Sequence, residues 1–389
     1  MPGLKLPKHK HESMTKIKNL NIPKIVYIKT DNKIKIGDYV KKGQILSNDK
    51  NPGISSVSGH VIGLKEMNTV KGTFLCAEVE NDLKETPIKV DSNLSFEDKL
   101  EKCGIIGMGG AGFPTNIKYR TDKKIKTLLV NAVECEPYIT ADWALIMSHS
   151  EEILETIDKI IKIKDIDKAI IAIKKTNIDL IEEVNKYIGT YPNISLKKVR
   201  DIYPMGYEKT LIKECLNETY ETIPLEKGII VNNVSTIFAM KDLEPLTERI
   251  ITITGEGIKN KGNIQAKIGT KISELIKAVG GKETDSIIIT GGPMMGTIAP
   301  KDLILTADLN CLLVLPKKEE EITTECLRCG KCAQACPVSL SPVFIMNADP
   351  SELKKLNPNK CIECGLCSYI CPARINLREI VKKAKEEVK

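Results

Sequence analysis

The residues Cys326-Leu-Arg-Cys329-Gly-Lys-Cys332-Ala-Gln-Ala-Cys336-Pro337 carry a cysteine spacing that returns once, as Cys361-Ile-Glu-Cys364-Gly-Leu-Cys367-Ser-Tyr-Ile-Cys371-Pro372. Three cysteines separated by two residues and followed by Cys-Pro are the ligand pattern of two-cluster ferredoxins, in which the fourth cysteine of each run binds the other cluster. The sequence therefore predicts two [4Fe–4S] clusters. We assign the first to Cys326, Cys329, Cys332 and Cys371, and the second to Cys361, Cys364, Cys367 and Cys336.

A disulfide scaffold and a zinc site are the alternatives for these cysteines. A cytoplasmic protein rarely keeps disulfides, and zinc favours ligands in pairs rather than triplets each followed by Cys-Pro. The two-cluster interpretation is therefore favoured. The other five cysteines show no ligand spacing, and we expect them to be structural, with Cys135 as the one candidate exception: Cys76, Cys103, Cys135, Cys215 and Cys311.

Composition limits the remaining function classes. Hydrophobic residues make up 42% of the 389 residues and charged residues 28%, which excludes a disordered or fibrous chain. No apolar run approaches the ~18 residues of a membrane span, and residues 1–12 lack the apolar core of a signal peptide, so we expect a cytoplasmic chain. The net charge of +7 is spread along the chain and aromatics are only 4%, which argues against nucleic-acid binding.

The pattern along the chain predicts four units: residues 1–100, 101–247, 248–316 and 317–389. Residues 33–64 hold short alternating segments punctuated by glycine, which resemble the barrel-sandwich hybrid fold of biotinyl and lipoyl carrier domains. The stretch between Gly43 and Gly59 is too short for the hairpin that presents the modified lysine in such carriers. We therefore expect Lys50 to be an ordinary surface lysine.

Strands and helices alternate from about residue 103 to 247. Apolar runs at 126–131, 168–173 and 227–231 predict buried strands, and 151–164 and 178–188 have helical periodicity. This alternation predicts a mostly parallel α/β sheet. Residues 248–316 predict a small α+β unit, with strands at 249–254 and 286–290 around a helix at 272–279.

A glycine-rich turn, Gly107-Met-Gly109-Gly110-Ala-Gly112-Phe-Pro114, lies near the start of the α/β unit. Such a turn permits positive φ angles and lets main-chain amides converge on a phosphate. Glu134 and Glu136 follow at about the distance of a ribose-binding carboxylate. Taken alone, the same pattern is also compatible with a plain glycine turn.

Further polar segments follow at the ends of later predicted strands. They are residues 131–138, 203–209 and 231–236. Ligands of open α/β sheets bind at the carboxyl ends of the strands, so these segments and the glycine turn are expected to form one site.

These four segments, in this order and followed by a two-cluster run, resemble the C subunit of the Rnf electron-transport complex, a relative of the NADH-binding flavoprotein subunit of respiratory complex I. The resemblance covers the chain from about Gly3 to the last cluster cysteine. It implies a multi-domain α/β and α+β fold: a barrel-sandwich hybrid, a complex I flavoprotein-like α/β domain, a soluble-ligand-binding β-grasp (SLBB-type) domain and a helical double-cubane domain.

The resemblance also implies site residues. NADH would be met by Phe113 and by two carboxylates with a catalytic role, Glu136 and Glu208. FMN would be met by Gly107, Gly109, Gly110, Gly112, Lys118, Asn131, Glu134, Tyr203, Asn232, Asn233 and Thr236.

The implied activity is that of an NADH-linked oxidoreductase subunit. Electrons would pass between NADH and FMN, through two [4Fe–4S] clusters, to the membrane subunits of an ion-translocating complex and indirectly to ferredoxin. The chain would then be peripheral on the cytoplasmic face of the membrane. The alternative is a soluble Rnf-C-like carrier that feeds a reductase such as proline reductase and binds no nucleotide. This alternative is favoured by Met108, Val133 and Tyr207, because the complex I subunit has other residues at these three positions.

Overall fold

The computed structural model describes residues 3–20, 22–31, 33–47, 49, 51–282, 286–317 and 322–388. Lys50 lies outside the described residues. Within these ranges, no helix combines the length and the apolar character that a membrane span needs.

Two small antiparallel sheets form the first unit. The strands in this part of the chain are β1 Lys18–Asn19, β2 Ile25–Lys29, β3 Tyr39–Val40, β4 Ile45–Ser47, β5 Gly53–Ile54, β6 Gly59–Thr69 and β7 Gly72–Asn81. The sheets have the orders β2-β7-β6-β3 and β4-β5. Alternate aliphatic residues of both, such as Val26, Leu46 and Val79, share one core.

A four-stranded parallel sheet forms the second unit, in the order β10-β9-β8-β11. Its elements are α1 Phe96–Lys102, α2 Thr115–Tyr119, β8 Thr127–Asn131, α3 Ala141–Ile163, β9 Lys168–Lys174, α4 Ile178–Asn185, β10 Ile194–Val199, α5 Glu208–Leu216, β11 Ile229–Asn233 and α6 Val234–Ala239. Leu128 packs into the core on one face and Leu129 into that on the other, because a covered parallel sheet buries both faces. The predicted parallel α/β sheet is confirmed.

Helix α3 is longer than the periodicity indicates. It begins at Ala141 rather than at residue 151 and contains one non-helical residue, His149, with φ −141°. Its first turns bury Ala144, Leu145 and Ile146. This kink interrupts the period of apolar residues on which the prediction relied.

The third unit is a mixed sheet in the order β1-β13-β12-β16-β14-β15, packed on one helix. Its further elements are β12 Glu248–Thr254, β13 Gly262–Lys267, α7 Ile272–Ala278, β14 Ser286–Thr290, β15 Thr297–Ile298 and β16 Cys311–Pro316. Strand β1 joins this sheet beside β13, so the beginning of the chain contributes to the third unit.

Short helices form the fourth unit. They are α8 Lys331–Ala335, α9 Pro342–Asn347, α10 Leu366–Tyr369 and α11 Leu377–Glu387. The core of this unit is small, with Leu340, Ile345 and Val381 packed around Cys336.

Candidate functional site

The cysteines of the fourth unit line two cavities. One is lined by Cys326, Cys329, Cys332 and Cys371. The other, which we call the inner cavity, is lined by Cys336, Cys361, Cys364 and Cys367. The fourth cysteine of each run therefore lies with the first three of the other run, as the interleaved ligand pattern requires.

Main-chain amides point at sulfur atoms in both runs. The amide of Arg328 donates to Sγ of Cys326, and that of Glu363 donates to Sγ of Cys361, each at 3.4 Å. Hydrogen bonds of this kind stabilise thiolate and cluster sulfur. The two cysteine runs therefore have equivalent main-chain hydrogen-bond donors as well as equivalent cysteine ligands.

Burial raises the pKa of the Cys364 thiol to about 12 and that of Cys367 to about 11. A thiol in such surroundings loses its proton only against a strong positive charge, which bound iron supplies. The donor set and its surroundings therefore fit [4Fe–4S] clusters.

The glycine turn is closed by its own main chain. The amide of Gly107 donates to the carbonyl of Phe113 at 2.7 Å, and that of Gly112 donates to the carbonyl of Gly107 at 3.0 Å. Within the described part of the chain, the amides of Gly109, Gly110 and Ala111 between them have no acceptor. These three consecutive donors fit a phosphate group such as that of FMN.

Gly110 is the residue of the turn that faces open space. Its φ is +106°, and a Cβ built there meets no atom within 4 Å. A Cβ on Gly109, in contrast, would lie 3.3 Å from the side chain of Asn233. A side chain on Gly110 would therefore extend into open space beside these free amides.

Two asparagines that were predicted as site residues lie at the same edge of the sheet, at the ends of the neighbouring strands β8 and β11. Asn131 ends β8 and pairs in register with Asn233, which ends β11 and caps α6 by accepting from the amide of Ser235. The side chain of Asn131 donates to the carbonyl of Gly206 at 2.8 Å. Parallel strands end at one edge, which is why residues so distant in sequence meet here.

The other predicted site residues at this edge form hydrogen bonds within the protein. Thr236 accepts from the amide of Met108 at 2.9 Å, and Asn232 donates to the hydroxyl of Tyr119 at 2.7 Å. The Lys118 ammonium donates to the carbonyl of Val231 at 2.7 Å, and burial lowers its pKa. A half-buried cation of this kind is suited to an anionic ligand.

Glu134 lies against a residue from the beginning of the chain. The Lys10 ammonium donates to the carbonyl of Glu134 at 2.8 Å and lies 3.5 Å from its carboxylate. That carboxylate also accepts from the amide of Asp142 at 2.9 Å. Lys10 is a candidate site residue that the motifs missed, because it belongs to no motif and lies 124 positions from Glu134.

Glu136 and Glu208 have different partners. The two carboxylate oxygens of Glu136 accept from the amides of Met294 and Met295 at 3.1 and 2.9 Å, and burial raises its pKa to about 7. Glu208 accepts from the hydroxyl of Tyr220 at 2.6 Å. Glu136 therefore faces the third unit, whereas Glu208 stays within the second.

Tyr203 and Phe113 lie in contrasting surroundings. Tyr203 is 2% exposed, and its hydroxyl donates to the carbonyl of Cys364 at 2.8 Å. Phe113 is 45% exposed at the end of the glycine turn. The turn thus presents one open aromatic ring, while Tyr203 joins the site to the cluster unit.

Two arginines, the buried Arg249 and the half-buried Arg378, were not found by the sequence analysis. Arg249 is 2% exposed and donates to the carbonyl of Met108, under the glycine turn, at 2.6 Å. Arg378 lines the inner cavity. Nothing in the sequence around either residue distinguishes it from an ordinary basic side chain.

Three family models match the chain. Residues 100–242 match the Nuo51 FMN-binding domain, residues 250–298 the SLBB domain and residues 325–375 the 4Fe-4S dicluster domain. The predicted FMN-binding, SLBB and two-cluster units are confirmed by these matches.

Curated relatives agree with the domain matches. The C subunit of the ion-translocating oxidoreductase complex of Pectobacterium atrosepticum is 32% identical over 338 residues, which are 79% of this chain and 48% of that protein. The protein of the same name from Haemophilus influenzae strain PittEE is 34% identical over 338 residues, 79% of this chain and 52% of that protein. This chain is a homologue of the complex's C subunit. It spans about half the length of the curated relatives that it matches.

Solved structures show the same fold at low identity. The NAD+-reducing [NiFe]-hydrogenase in its H2-reduced state aligns with a TM-score of 0.53 at 16% identity, over 75% of this C-subunit homologue and 60% of that chain. The air-oxidised form aligns with a TM-score of 0.51 at 18% identity, over 75% and 53%. The predicted mixed α/β multi-domain fold is confirmed.

Proposed function

We propose that this chain transfers electrons between NADH, bound FMN and two [4Fe–4S] clusters, and passes them to partner subunits of an ion-translocating ferredoxin:NAD oxidoreductase. The observation that carries the proposal is the hydrogen bond from Tyr203 to the carbonyl of Cys364. It joins the edge of the nucleotide-binding sheet to the inner cavity through one buried side chain. Electron transfer from a nucleotide domain to a cluster depends on such close packing.

The residues of the second unit have separate roles in this proposal. The free amides of Gly109, Gly110 and Ala111 bind the flavin phosphate, and Lys118 adds a half-buried positive charge. Phe113 and Glu208 face the nicotinamide nucleotide, with Phe113 offering the exposed ring. FMN, when bound, converts a two-electron hydride donor into a source of single electrons.

In this proposal Glu136 positions the third unit, in place of the catalytic role that the resemblance implied. Since both of its oxygens accept from main-chain amides of residues 294 and 295, it holds the third unit against the site. Contact between Glu136 and a nucleotide would require that loop to move. We therefore place Glu136 as a positioning residue that a bound nucleotide can compete for.

The partners belong to the proposal as well. The relatives are named as subunits of an ion-translocating complex, so we propose further subunits of an Rnf-type complex as electron acceptors, with ferredoxin reached through them. Attachment to the cytoplasmic face of the membrane would then be peripheral and through those subunits.

A second candidate function is favoured by the two hydrogen bonds that hold the carboxylate of Glu136 against the third unit. A carrier that feeds a reductase, such as proline reductase, through its clusters alone would need no nucleotide, and its Glu136 could remain bound to the third unit.

Anaerobic purification followed by FMN titration separates the two functions. We expect about 8 Fe per chain by the ligand scheme, stoichiometric FMN, and bleaching of both flavin and cluster absorbance by NADH. As a control, NADPH added under the same conditions shows whether the nucleotide site discriminates. Protein with full clusters that neither binds FMN nor is bleached by NADH would establish the carrier function instead.

A further inference from the structure

Arg378, the second residue of α11, holds a loop of the third unit. Its Nη2 donates to the carbonyl of Met295 at 2.9 Å, and its Nη1 lies 3.4 and 3.3 Å from the carbonyls of Met294 and Gly296. Within the described residues, no carboxylate lies at ion-pair distance from it. The hydrogen bonds that hold the guanidinium are therefore all to neutral main-chain carbonyls.

The third donor of the same guanidinium has no partner. Nε of Arg378 is buried, and no acceptor in the described part of the chain lies within hydrogen-bond distance of it. Arg378 lines the inner cavity together with Cys336, Cys361, Cys364 and Cys367. A buried unpaired N–H is unfavourable, so a donor left unpaired beside a cofactor cavity points to an acceptor on the cofactor.

We propose that Nε–H of Arg378 donates a hydrogen bond to a sulfur of the [4Fe–4S] cluster in the inner cavity, and that this contact raises the reduction potential of that cluster. Reduction by one electron adds one negative charge to the cluster. A hydrogen bond to sulfur and a nearby positive charge both stabilise the reduced form more than the oxidised form.

We expect the rise in reduction potential at the inner-cavity cluster alone, because the other cations beside the two cavities have different surroundings. Lys385 lies on the same face of α11 as Arg378, but its ammonium is 2.8 Å from the carboxylate of Glu363, which neutralises it. Arg328 lines the other cavity, but its side chain is exposed to solvent. In the part of the chain that the structure describes, Arg378 is thus the cation beside these cavities with a buried N–H donor that has no hydrogen-bond partner.

The same loop connects this cluster to the nucleotide site. Met294 and Met295 present their amides to Glu136 and their carbonyls to Arg378. Tyr203 donates to Cys364 on the inner cavity. This inference rests on the proposed function in one respect: a raised potential makes the cluster next to the nucleotide site the favoured first electron acceptor.

Redox titration with dithionite, followed by EPR, tests the proposal without NADH or flavin. We compare wild type with Arg378→Gln, Arg378→Lys and, as a control, Lys383→Gln, which removes a charge from the exposed side of the same helix. At a fixed potential, Arg378→Gln should lower the reduced-to-oxidised ratio of the inner-cavity cluster about tenfold, which is 59 mV for a one-electron couple. Arg378→Lys should lower it as well, because an ammonium cannot hold the carbonyls and the sulfur in the geometry of a guanidinium.

The other cluster serves as an internal reference, and it should keep its potential in every variant. An unchanged inner-cavity potential in Arg378→Gln, or an equal shift of both clusters, would overturn the proposal. If a variant fails to assemble its cluster, pulsed EPR of reduced wild type labelled with 15Nε-arginine decides. A 15N coupling on the inner-cavity signal supports the hydrogen bond, and its absence overturns it. Because dithionite reduces the clusters directly, this result is independent of whether the chain oxidises NADH.

Discussion

The hydroxyl of Tyr203 donates a hydrogen bond to the main-chain carbonyl of Cys364, with 2.8 Å between the two oxygen atoms. Tyr203 follows strand β10 of the parallel sheet. Cys364 is the middle cysteine of its triplet and lies 161 positions later in the chain. Leu366 and Met294 pack around the pair. Three units of the chain therefore meet at one buried tyrosine.

Removing this hydroxyl should loosen the cluster loop. In Tyr203→Phe, the carbonyl of Cys364 loses a buried donor, which costs roughly 1–3 kcal/mol. We expect faster hydrogen exchange confined to residues 361–367, measured by mass spectrometry on the protein with clusters intact. Tyr39→Phe is the matched control, since it removes a hydroxyl that bonds Asp82 on an exposed surface. Equal exchange in Tyr203→Phe and wild type would show that this bond does not hold the loop.

The interleaved cysteine arrangement predicts which cluster each single substitution removes. Cys336→Ala should abolish the EPR signal of the cluster bound by Cys361, Cys364 and Cys367, and reduce the iron content from about 8 to about 4 per chain. Cys371→Ala should remove the other signal. Cys215→Ala, at a cysteine outside both cavities, should keep both signals. Loss of the opposite signal in Cys336→Ala would contradict the assignment.

The glycine turn predicts a steric requirement at Gly110. In Gly110→Val, the new side chain fills the space in front of the free amides, and FMN affinity should fall about tenfold or more, which is at least about 1.4 kcal/mol. NADH-dependent reduction of ferricyanide should fall with it, while the iron content stays unchanged. Flavin fluorescence titration measures the affinity.

A second glycine controls for backbone strain in that experiment. Gly37 has a φ of +94°, close to the +106° of Gly110, and a Cβ built there also meets no atom within 4 Å. Gly37→Val should therefore suffer similar strain and still bind FMN normally. Similar losses of FMN in both variants would indicate strain rather than a blocked phosphate site.

The burial of Glu136 predicts a pH dependence of stability. Its pKa is raised from 4.5 to about 7 in the folded protein, chiefly by burial, so the folded state binds a proton that the unfolded state releases in this range. This contribution to stability is complete below about pH 4.5 and is lost as the pH rises through about 7. Burial raises the pKa of Glu134 in the same direction, so Glu136 accounts for part of the slope.

Thermal unfolding between pH 5 and 7.5 measures this slope. Glu136→Gln has no carboxylate to titrate, so its midpoint should fall less over this range than that of wild type. Glu182→Gln, on the exposed side of α4, should keep the slope of wild type. A slope in Glu136→Gln equal to that of wild type would show that Glu136 does not titrate with folding.

Features that depend on short-range spacing were readable from the amino-acid sequence alone. The cysteine runs predicted the two-cluster unit because ligand spacing within one turn is fixed by local geometry. The apolar runs of β8, β9 and β11 predicted a parallel sheet because strands buried on both faces carry few polar residues. Strand β10 was missed, since at the edge of the sheet its lysines, Lys197 and Lys198, break the apolar run.

Which distant groups meet depended on the packing of the whole chain. The fold placed Lys10 beside Glu134, turned Glu136 toward Met294 and Met295, and left Nε of Arg378 in the inner cavity. No spacing rule connects these residues, because their separations are set by how four units pack and not by the period of one helix or strand. The chemistry of each site resides in short motifs, whereas the connection from the nucleotide site to the clusters exists only where Tyr203, the loop at residues 294–296 and α11 come into contact.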